Sequence, residues 1–465
     1  MPNLPMTTKK SQEKRAMRKA KFVTGDQWDG PAWMKWFQTI NINLTCVSLG
    51  LIVSLLGPTL IDLSEIFHTS KQEASQIGMV TDIGSIVGPF LAGFLFKRFN
   101  AQLVCILSAF AIGASNIAIP LGNLNLAYFF GFISGINLVI LENGVYVWLV
   151  GLWKGARPLL LLYSLMFGIG ALFSPLIAKP FLSPERRLMT NATGSHDYTG
   201  VDGSNESQVV VPFAIIGSFG VVVASLMTVS FCFDSRDIRP ERNDRHKHFS
   251  ISEWFLTVLV SIYHLLVVFS ETAFSRFLVL YAIEMYAIPK GDAAVLVSLF
   301  WIGFTVVRVM IIPLTMKLRS VWIVLLGQVV FTSACFLMYS FSGDRRIFYA
   351  GTFMFGFGLG PLYGGSLTWL TEHVTLRHEY LSLILIMTCV GSMMAVPIVS
   401  PLIESRPIFL VQTLNVSSLL MIMVFAAMVI SAKVLHKSKL AKVSGARQKD
   451  GVDNPTVQVV DEAIG

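Results

Sequence analysis

The run from Leu138 to Val150, LVILENGVYVWLV, is apolar except for an acid and an amide that stand side by side, Glu142 and Asn143. A carboxylate can accept hydrogen bonds or hold a cation, and an amide can donate and accept. If this run crosses a membrane, an ionised carboxylate near its centre costs about 2.5–3.5 kcal/mol on insertion scales. Leu or Val would fill a packing position better, so we expect Glu142 to face a wet cavity and bind a solute or an ion.

Other polar residues also lie inside long apolar runs, and such groups usually face a cavity and mark substrate or ion pathways. His264 is the exception, since a lone histidine there is expected to be a packing residue. No HExxH pattern or catalytic constellation is visible, so we expect neither an enzyme nor a cofactor. The candidates for solute or ion binding are Glu142, Asp62, Asn143, Asn41, Glu271, Arg308 and Gln328.

The composition indicates that these residues lie in a membrane. Of 465 residues, 54% are hydrophobic and only 14% are charged, against about 25% charged in soluble domains. Apolar runs of about 20 residues, the length that crosses about 30 Å of hydrocarbon, recur along the chain. Twelve such runs predict an all-α integral membrane protein, at about 37–61, 74–96, 102–121, 125–150, 158–178, 210–233, 255–283, 293–316, 321–341, 347–371, 380–400 and 409–434.

Most of the 36 Lys and Arg residues fall on the N-terminal side of the membrane if the chain alternates through these runs. Cytosolic loops carry such an excess, which predicts that both termini are cytosolic. Basic flanks facing anionic lipid account for the net charge of +8, so no nucleic-acid partner is expected. The basic residues on the outer side are Lys71, Lys179, Arg186, Arg187, Lys290, Arg345, Arg346 and Arg406.

The twelve runs form two groups of six with matching features. In the fifth run Gly170 precedes Pro175, and in the eleventh Gly391 precedes Pro397. Twelve spans in two parallel repeats are typical of transporters whose site lies near the midplane between the halves. The predicted domains are a basic N-terminal tail (1–36), an N-terminal half (37–233), a cytosolic linker (234–254), a C-terminal half (255–434) and a disordered cytosolic tail (435–465).

Five segments together resemble the major facilitator superfamily, and within it the sodium-dependent glucose transporter branch, which is related to fucose permeases. They are LGPTLIDL (56–63), GFLFKRFNAQ (93–102), GALFSPLIAKPFLS (170–183), SETAFSRFLVLYA (270–282) and SLFWIGFTVVR (298–308). The resemblance runs from about residue 37 to 434 and implies the major facilitator fold. Two departures leave the solute and the coupling ion open: Tyr146 stands where relatives often carry Asn, and Ser164 where they often carry His.

The resemblance implies sodium-coupled import of glucose or a similar hexose by alternating access, by a monomer in the plasma membrane. Sodium, the expected coupling ion, needs oxygen ligands. The match at 56–63 points to Asp62, near the outer end of the first helix, so the expected sodium site is at Asp62 or Glu142. A hexose needs hydrogen-bonding groups and an aromatic face, for which Trp301 and Trp369, with Trp148, are candidates.

Charged residues of the second half are expected to form pairs. We expect Glu271 and Arg276 to make a gating pair near the outer end, and Arg308 to neutralise a carboxylate of the first half. At 1.5 Å per residue, Glu142 lies about 25 Å and Arg308 about 22 Å from the start of its run. The two could therefore meet near one level of the membrane.

Two alternatives stay open at this point. One is a proton-coupled or uncoupled carrier of another small neutral solute. The other, of a different class, is a membrane receptor or scaffold that transports nothing. A receptor would call for a sizeable soluble binding domain, and the segment from Ser444 to Gly465 is too short for one.

The predicted outer loop at 182–209 gives a direct test of the topology. It contains two sequons, at Asn191 and Asn205, and only lumenal or extracellular sequons are glycosylated. In a glycosylating host, glycosidase should shift the band of the wild-type protein, and Asn191→Gln with Asn205→Gln should abolish the shift. Protease cleavage of both termini from outside intact cells would contradict the predicted orientation.

Overall fold

The computed structural model describes residues 31–153, 157–183, 207–236, 251–314, 317–374 and 378–450. These residues form twelve α-helices, two short 3-10 helices at Ile119–Leu121 and Lys179–Phe181, and no strand. The α-helices are α1 (Ala32–Ile66), α2 (Lys71–Arg98), α3 (Ala101–Ala118), α4 (Leu124–Trp153), α5 (Arg157–Ala178), α6 (Val210–Phe233), α7 (Ile251–Tyr286), α8 (Lys290–Leu314), α9 (Ser320–Ser340), α10 (Arg345–His373), α11 (His378–Ile403) and α12 (Phe409–Asp450).

Eleven of these twelve helices are long and apolar enough to cross a membrane. The remaining helix, α10, has a lower hydropathy because glycines and polar residues interrupt it, as in GFGLGPLYGGSLTW (356–369). Each helix falls on one of the twelve predicted runs. The prediction of an all-α integral membrane protein is therefore confirmed.

The helices extend beyond the predicted spans at several ends. The first begins at Ala32, inside the predicted N-terminal tail, and α12 continues to Asp450, through part of the tail predicted to be disordered. The added turns of α12 are rich in Lys, Ala, Leu and Arg, which favour helix without being apolar. A hydropathy pattern finds the apolar part of a helix and misses such polar continuations. The two sequons and most of the predicted linker lie outside the described residues.

The two groups of six helices pack in the same way. In the N-terminal half α1 packs along α5 and α2 along α4; in the C-terminal half α7 packs along α11 and α8 along α10. Small residues at these contacts let the backbones approach closely. On Gly84 of α2 and Gly135 of α4, a Cβ atom would overlap a carbonyl oxygen of the partner helix, and the same holds for Gly303 of α8 and Gly356 of α10. The repeat expected from the sequence is thus present in the packing.

Candidate functional site

The two halves meet along three pairs of helices: α5 with α8, α2 with α11, and α1 with α7. At one end of these pairs, polar contacts cross between the halves. Ser75 Oγ lies 2.8 Å from Ser400 Oγ, and Lys179 Nζ lies 3.2 Å from Asp292 Oδ1. We call this end the sealed face; it contains the C-terminal ends of α1 and α7 and the N-terminal ends of α2 and α8. The sequence predicts that it is extracellular.

A buried ion pair joins the halves farther into the membrane from the sealed face. Arg276 of α7 donates from Nη1 and Nη2 to the two carboxylate oxygens of Asp82 of α2, at 2.6 and 2.9 Å. The side chains of Arg276 and Asp82 are only 16% and 8% exposed. Ser392 of α11 also donates to this carboxylate, at 2.9 Å.

The expected gating pair of Glu271 with Arg276 is therefore wrong. Residues five positions apart on one α-helix point about 140° apart, so the two side chains leave α7 on different faces. Arg276 faces α2 and pairs with Asp82. Glu271 is half-buried and lies within electrostatic range of Arg308 of α8.

Away from the sealed face, the structure leaves a cavity of about 240 Å³. Its mouth is near the turn between α8 and α9, on the side predicted to be cytosolic. The structure thus has one end closed by contacts between the halves and a cavity toward the other end, as expected of an alternating-access protein in a single state. Polar groups on the cavity wall are Ser164 of α5, Arg308 of α8, Ser320 of α9, and Tyr363, Thr368 and Glu372 of α10.

Glu142 of α4 faces the space between the halves. Its side chain is exposed although it lies in the middle of a bundle helix. The carboxylate is within electrostatic range of Glu271 on α7 and Tyr363 on α10, both in the opposite half. An exposed acid close to both residues faces the opposite half and not the lipid.

Arg308 reaches across from α8 to the first half. Its Nη1 donates to Ser164 Oγ at 2.6 Å and to the Ser164 carbonyl at 3.2 Å, and its guanidinium lies 4.1 Å from the ring centroid of Phe304. The carboxylate that interacts with it electrostatically is Glu271, in its own half. Arg308 was expected to neutralise a first-half carboxylate; it contacts the first half through a hydroxyl and a carbonyl instead.

Tyr363 is a cavity residue that was not among the sequence candidates. Its ring stacks on His264 of α7, with centroids 4.4 Å apart and planes 11° apart, and His264 Nε2 lies 2.7 Å from Ser366 Oγ. The buried histidine therefore holds the tyrosine ring in place. The sequence signal that points to Tyr363 is its position two residues after Pro361, because proline inside a membrane helix often borders a cavity.

Asp62 lies at the sealed face. It is fully buried, and its Oδ1 accepts hydrogen bonds from Ser183 N at 2.8 Å and Ser207 Oγ at 2.7 Å. Lys290 Nζ is 3.9 Å from Oδ2. Asp62 thus holds the two described ends of the long loop close to α1. It is not part of the cavity that contains Arg308 and Tyr363.

Two further candidates are buried inside a single half. Asn41 of α1 donates to the Leu226 carbonyl of α6 at 3.4 Å. Gln328 of α9 accepts from Tyr263 Oη at 2.8 Å and donates to the Ser418 carbonyl of α12 at 3.3 Å. These bonds satisfy polar groups between helices of the same half, so the structure does not bring Asn41 and Gln328 to the cavity.

The tryptophans proposed as an aromatic face are also buried. Trp301 is 1% exposed and Trp369 and Trp148 are 3% exposed. Trp301 packs on Phe167 across the interface between the halves, at 5.9 Å between centroids. Their large apolar area favours burial, which leaves Tyr363 as the aromatic wall of the cavity. Asn143 is half-buried beside Glu142 on α4.

Two six-helix repeats that are closed against each other at one face, with a cavity lined by α5 of one half and α8, α9 and α10 of the other, are typical of a secondary transporter. Residues 42–396 match the sequence profile of the Major Facilitator Superfamily. The chain belongs to this family, and it is a membrane transporter for a small-molecule solute, not an enzyme.

Two relatives are similar over most of this chain. A protein of Danio rerio named sodium-dependent glucose transporter 1 is 24% identical over 381 residues, which cover 78% of this chain and 64% of the relative. A protein of Mus musculus named sodium-dependent glucose transporter 1A is 24% identical over 377 residues, covering 77% of this chain and 88% of the relative. This chain thus spans somewhat less than two thirds of the Danio rerio protein.

Solved structures share the fold at low identity. A bacterial homologue of the human lysosomal transporter Spinster, in an inward-facing and unoccupied conformation, has a TM-score of 0.64 and 10% identity, over 88% of this chain and 99% of that one. The transporter FucP in an outward conformation has a TM-score of 0.58 and 17% identity, over 86% and 99% of the two chains. The predicted major facilitator fold is confirmed.

The ion pair between Asp82 and Arg276 can be tested with a double-mutant cycle. Asp82→Ala leaves a buried guanidinium without its partner, and breaking a buried pair costs about 3–5 kcal/mol. We expect Asp82→Ala to lower the melting temperature of the purified protein, and Asp82→Ala with Arg276→Ala to lose less stability than the sum of the single variants. The control cycle pairs Glu271→Ala with Arg276→Ala and should be additive. Coupling in the control cycle with none in the first would contradict the assignment.

Proposed function

We propose that the chain imports glucose or a similar hexose together with sodium, by alternating access between its two halves. The observation that carries this proposal is the cavity lined by α5 of the first half and by α8, α9 and α10 of the second, whose wall includes an aromatic ring, a guanidinium, hydroxyls and the carboxylate of Glu372. The names of the two relatives support the choice of solute and ion. We further propose that it works as a monomer in the plasma membrane, with both termini cytosolic.

The cavity has the groups that a sugar needs. The ring of Tyr363 offers a flat apolar surface for one face of a hexose, and its stack on His264 orders the ring before the solute arrives. Arg308 has five N–H donors for hydroxyl oxygens. Glu271 and Glu142 are not part of the cavity wall but lie within electrostatic range of Arg308 and Tyr363, respectively, and their carboxylates can accept from hydroxyl hydrogens. Ser164 holds the guanidinium of Arg308 and thereby sets the direction of its donors.

We propose Glu142 as the residue that couples the solute to the ion. It is an exposed acid between the halves, whereas Asp62 is fully buried, with Oδ1 bonded to Ser183 and Ser207 and Oδ2 3.9 Å from Lys290 Nζ. Asp62 is therefore proposed to act in closing the sealed face. Sodium prefers oxygen ligands, which Glu142 and hydroxyls of a bound sugar would supply together.

A proton-coupled carrier of another neutral solute is the second candidate function. The observation that favours it is the approach of two acids, Glu142 and Glu271, which lie within electrostatic range of each other. Two carboxylates that share a site disfavour double ionisation, so one of them can carry a proton through a transport cycle.

Uptake into liposomes that contain the purified protein tests the proposal. With a fixed pH and membrane voltage, replacing external sodium with choline should abolish accumulation of labelled glucose. Equal uptake in the two media would rule out sodium coupling. Accumulation driven by an imposed pH gradient in choline medium would instead select the proton-coupled function.

Glu142→Gln separates the coupling role from a structural one. It keeps the size and hydrogen bonding of the side chain but removes the charge, so we expect normal folding and surface expression with at least about tenfold less ion-driven accumulation, which corresponds to about 1.4 kcal/mol. Glu404→Gln, an exposed acid near the end of α11, is the matched control and should behave as wild type. Normal concentrative uptake by well-expressed Glu142→Gln would remove Glu142 from the mechanism. Poor expression of Glu142→Gln alone would indicate a structural role.

A further inference from the structure

The same short pattern occurs at equivalent places in the two halves. EIFHTSK spans residues 65–71 and EMYAIPK spans residues 284–290, each with Glu first and Lys last. In each half Glu is in the last turn of the first helix, and Lys is the first residue of the second helix. The pattern therefore forms the turn between α1 and α2 and the turn between α7 and α8.

The backbone repeats as well as the letters. The residue midway between Glu and Lys has a positive φ in both turns, 51° at His68 and 49° at Ala287. They are the positive-φ residues other than glycine among the described residues, and a non-glycine side chain rarely adopts this conformation. Both halves therefore have the same unusual turn between Glu and Lys.

Each lysine pairs with the glutamate of the other half. Lys290 Nζ lies 2.6 Å from Glu65 Oε1, and Lys71 Nζ lies 2.7 Å from Glu284 Oε1. The two ion pairs thus cross the interface between the halves in opposite directions, at the sealed face. Lys290 is only 7% exposed, while Lys71 is 31% exposed.

Local helix stability does not explain these four charges. The N-terminus of a helix favours negative charge and the C-terminus favours positive charge, because of the helix dipole. Here both lysines lie at N-termini and both glutamates lie in last turns, so each of the four has the unfavourable sign. Contact with the other half is what compensates them.

We infer that the two Glu-x5-Lys turns form a reciprocal latch, which holds the sealed face closed and is released in one step. Because both pairs join opposite halves, rocking one half away from the other breaks both together and strains neither half. Asp62 and Ser183 strengthen the side of the latch at Lys290, where Ser183 Oγ lies 2.7 Å from the lysine nitrogen. This role concerns the conformation of the protein and does not depend on which solute or ion it carries.

Two double variants with the same net charge give opposite predictions. Lys71→Glu with Glu284→Lys exchanges the partners of one pair and keeps both ion pairs. Lys71→Glu with Glu65→Lys exchanges charges inside one turn, and it places acid opposite acid at Glu284 and base opposite base at Lys290. Only the second variant should open the sealed face.

The readout is a cysteine in place of Ser75, which is 3% exposed at the sealed face. Its rate of labelling by a maleimide is measured on purified protein in detergent, without sugar or sodium, so the result is independent of topology and of the proposed solute. Cys335 is kept as a reporter of unfolding, since it is fully buried in the C-terminal half. The cysteines to be replaced are Cys46, Cys105, Cys232 and Cys389.

In Lys71→Glu with Glu284→Lys, we expect the cysteine at position 75 to be labelled as slowly as in the parent. In Lys71→Glu with Glu65→Lys, we expect labelling to be about tenfold faster or more, because the equilibrium shifts toward the open state. Equal rates in the two double variants would overturn the latch. If Cys335 also becomes reactive in the second variant, Lys71→Gln with Glu65→Gln replaces it, since it breaks both pairs without like-charge contacts. A rate equal to that of the parent in this neutral variant, with Cys335 protected, would likewise overturn the proposal.

Discussion

The ion pair between Asp82 and Arg276 is the interaction on which the arrangement of the two halves depends. Each residue lies inside a membrane-spanning helix, where a charge without a partner is costly. Because the two charges belong to different halves, the halves must approach each other closely enough for the guanidinium and the carboxylate to form both hydrogen bonds. The pair thereby favours contact between the halves near the sealed face. The cavity lies toward the opposite end.

The charges on the two sides of this pair have different partners and different uses. Toward the sealed face, Lys290 and Lys71 find acids in the opposite half, so their charges are compensated within the protein. Toward the cavity, Glu142 is exposed and Arg308 crosses the interface to the hydroxyl of Ser164. One set of charges closes the interface, and the other set lies where the solute is proposed to bind.

The sequence predicted those features that depend on neighbouring residues. Apolar runs located all twelve helices, and the cost of an acid in hydrocarbon identified Glu142. The sequence did not predict which charges pair across the halves. The partner of Arg276 is Asp82, which is 194 positions away, whereas Glu271 is a nearer acid, five positions away along the chain. Aromatic residues posed the same difficulty, since nothing local shows that Trp301 is buried and Tyr363 faces the cavity.

The energies of these contacts suit a protein that must open and close. Exposed ion pairs such as Lys71 with Glu284 contribute about 0–1 kcal/mol each, so they close the sealed face without fixing it. Moving a two-state equilibrium from one side to the other takes about 5.5 kcal/mol of differential binding. A closed face held by one buried pair and several weak ones lies within that range, so differential binding of the proposed solute and ion is enough to reverse it. A fully apolar closure of the same area would bind the halves more strongly and would offer no group for a solute to compete with.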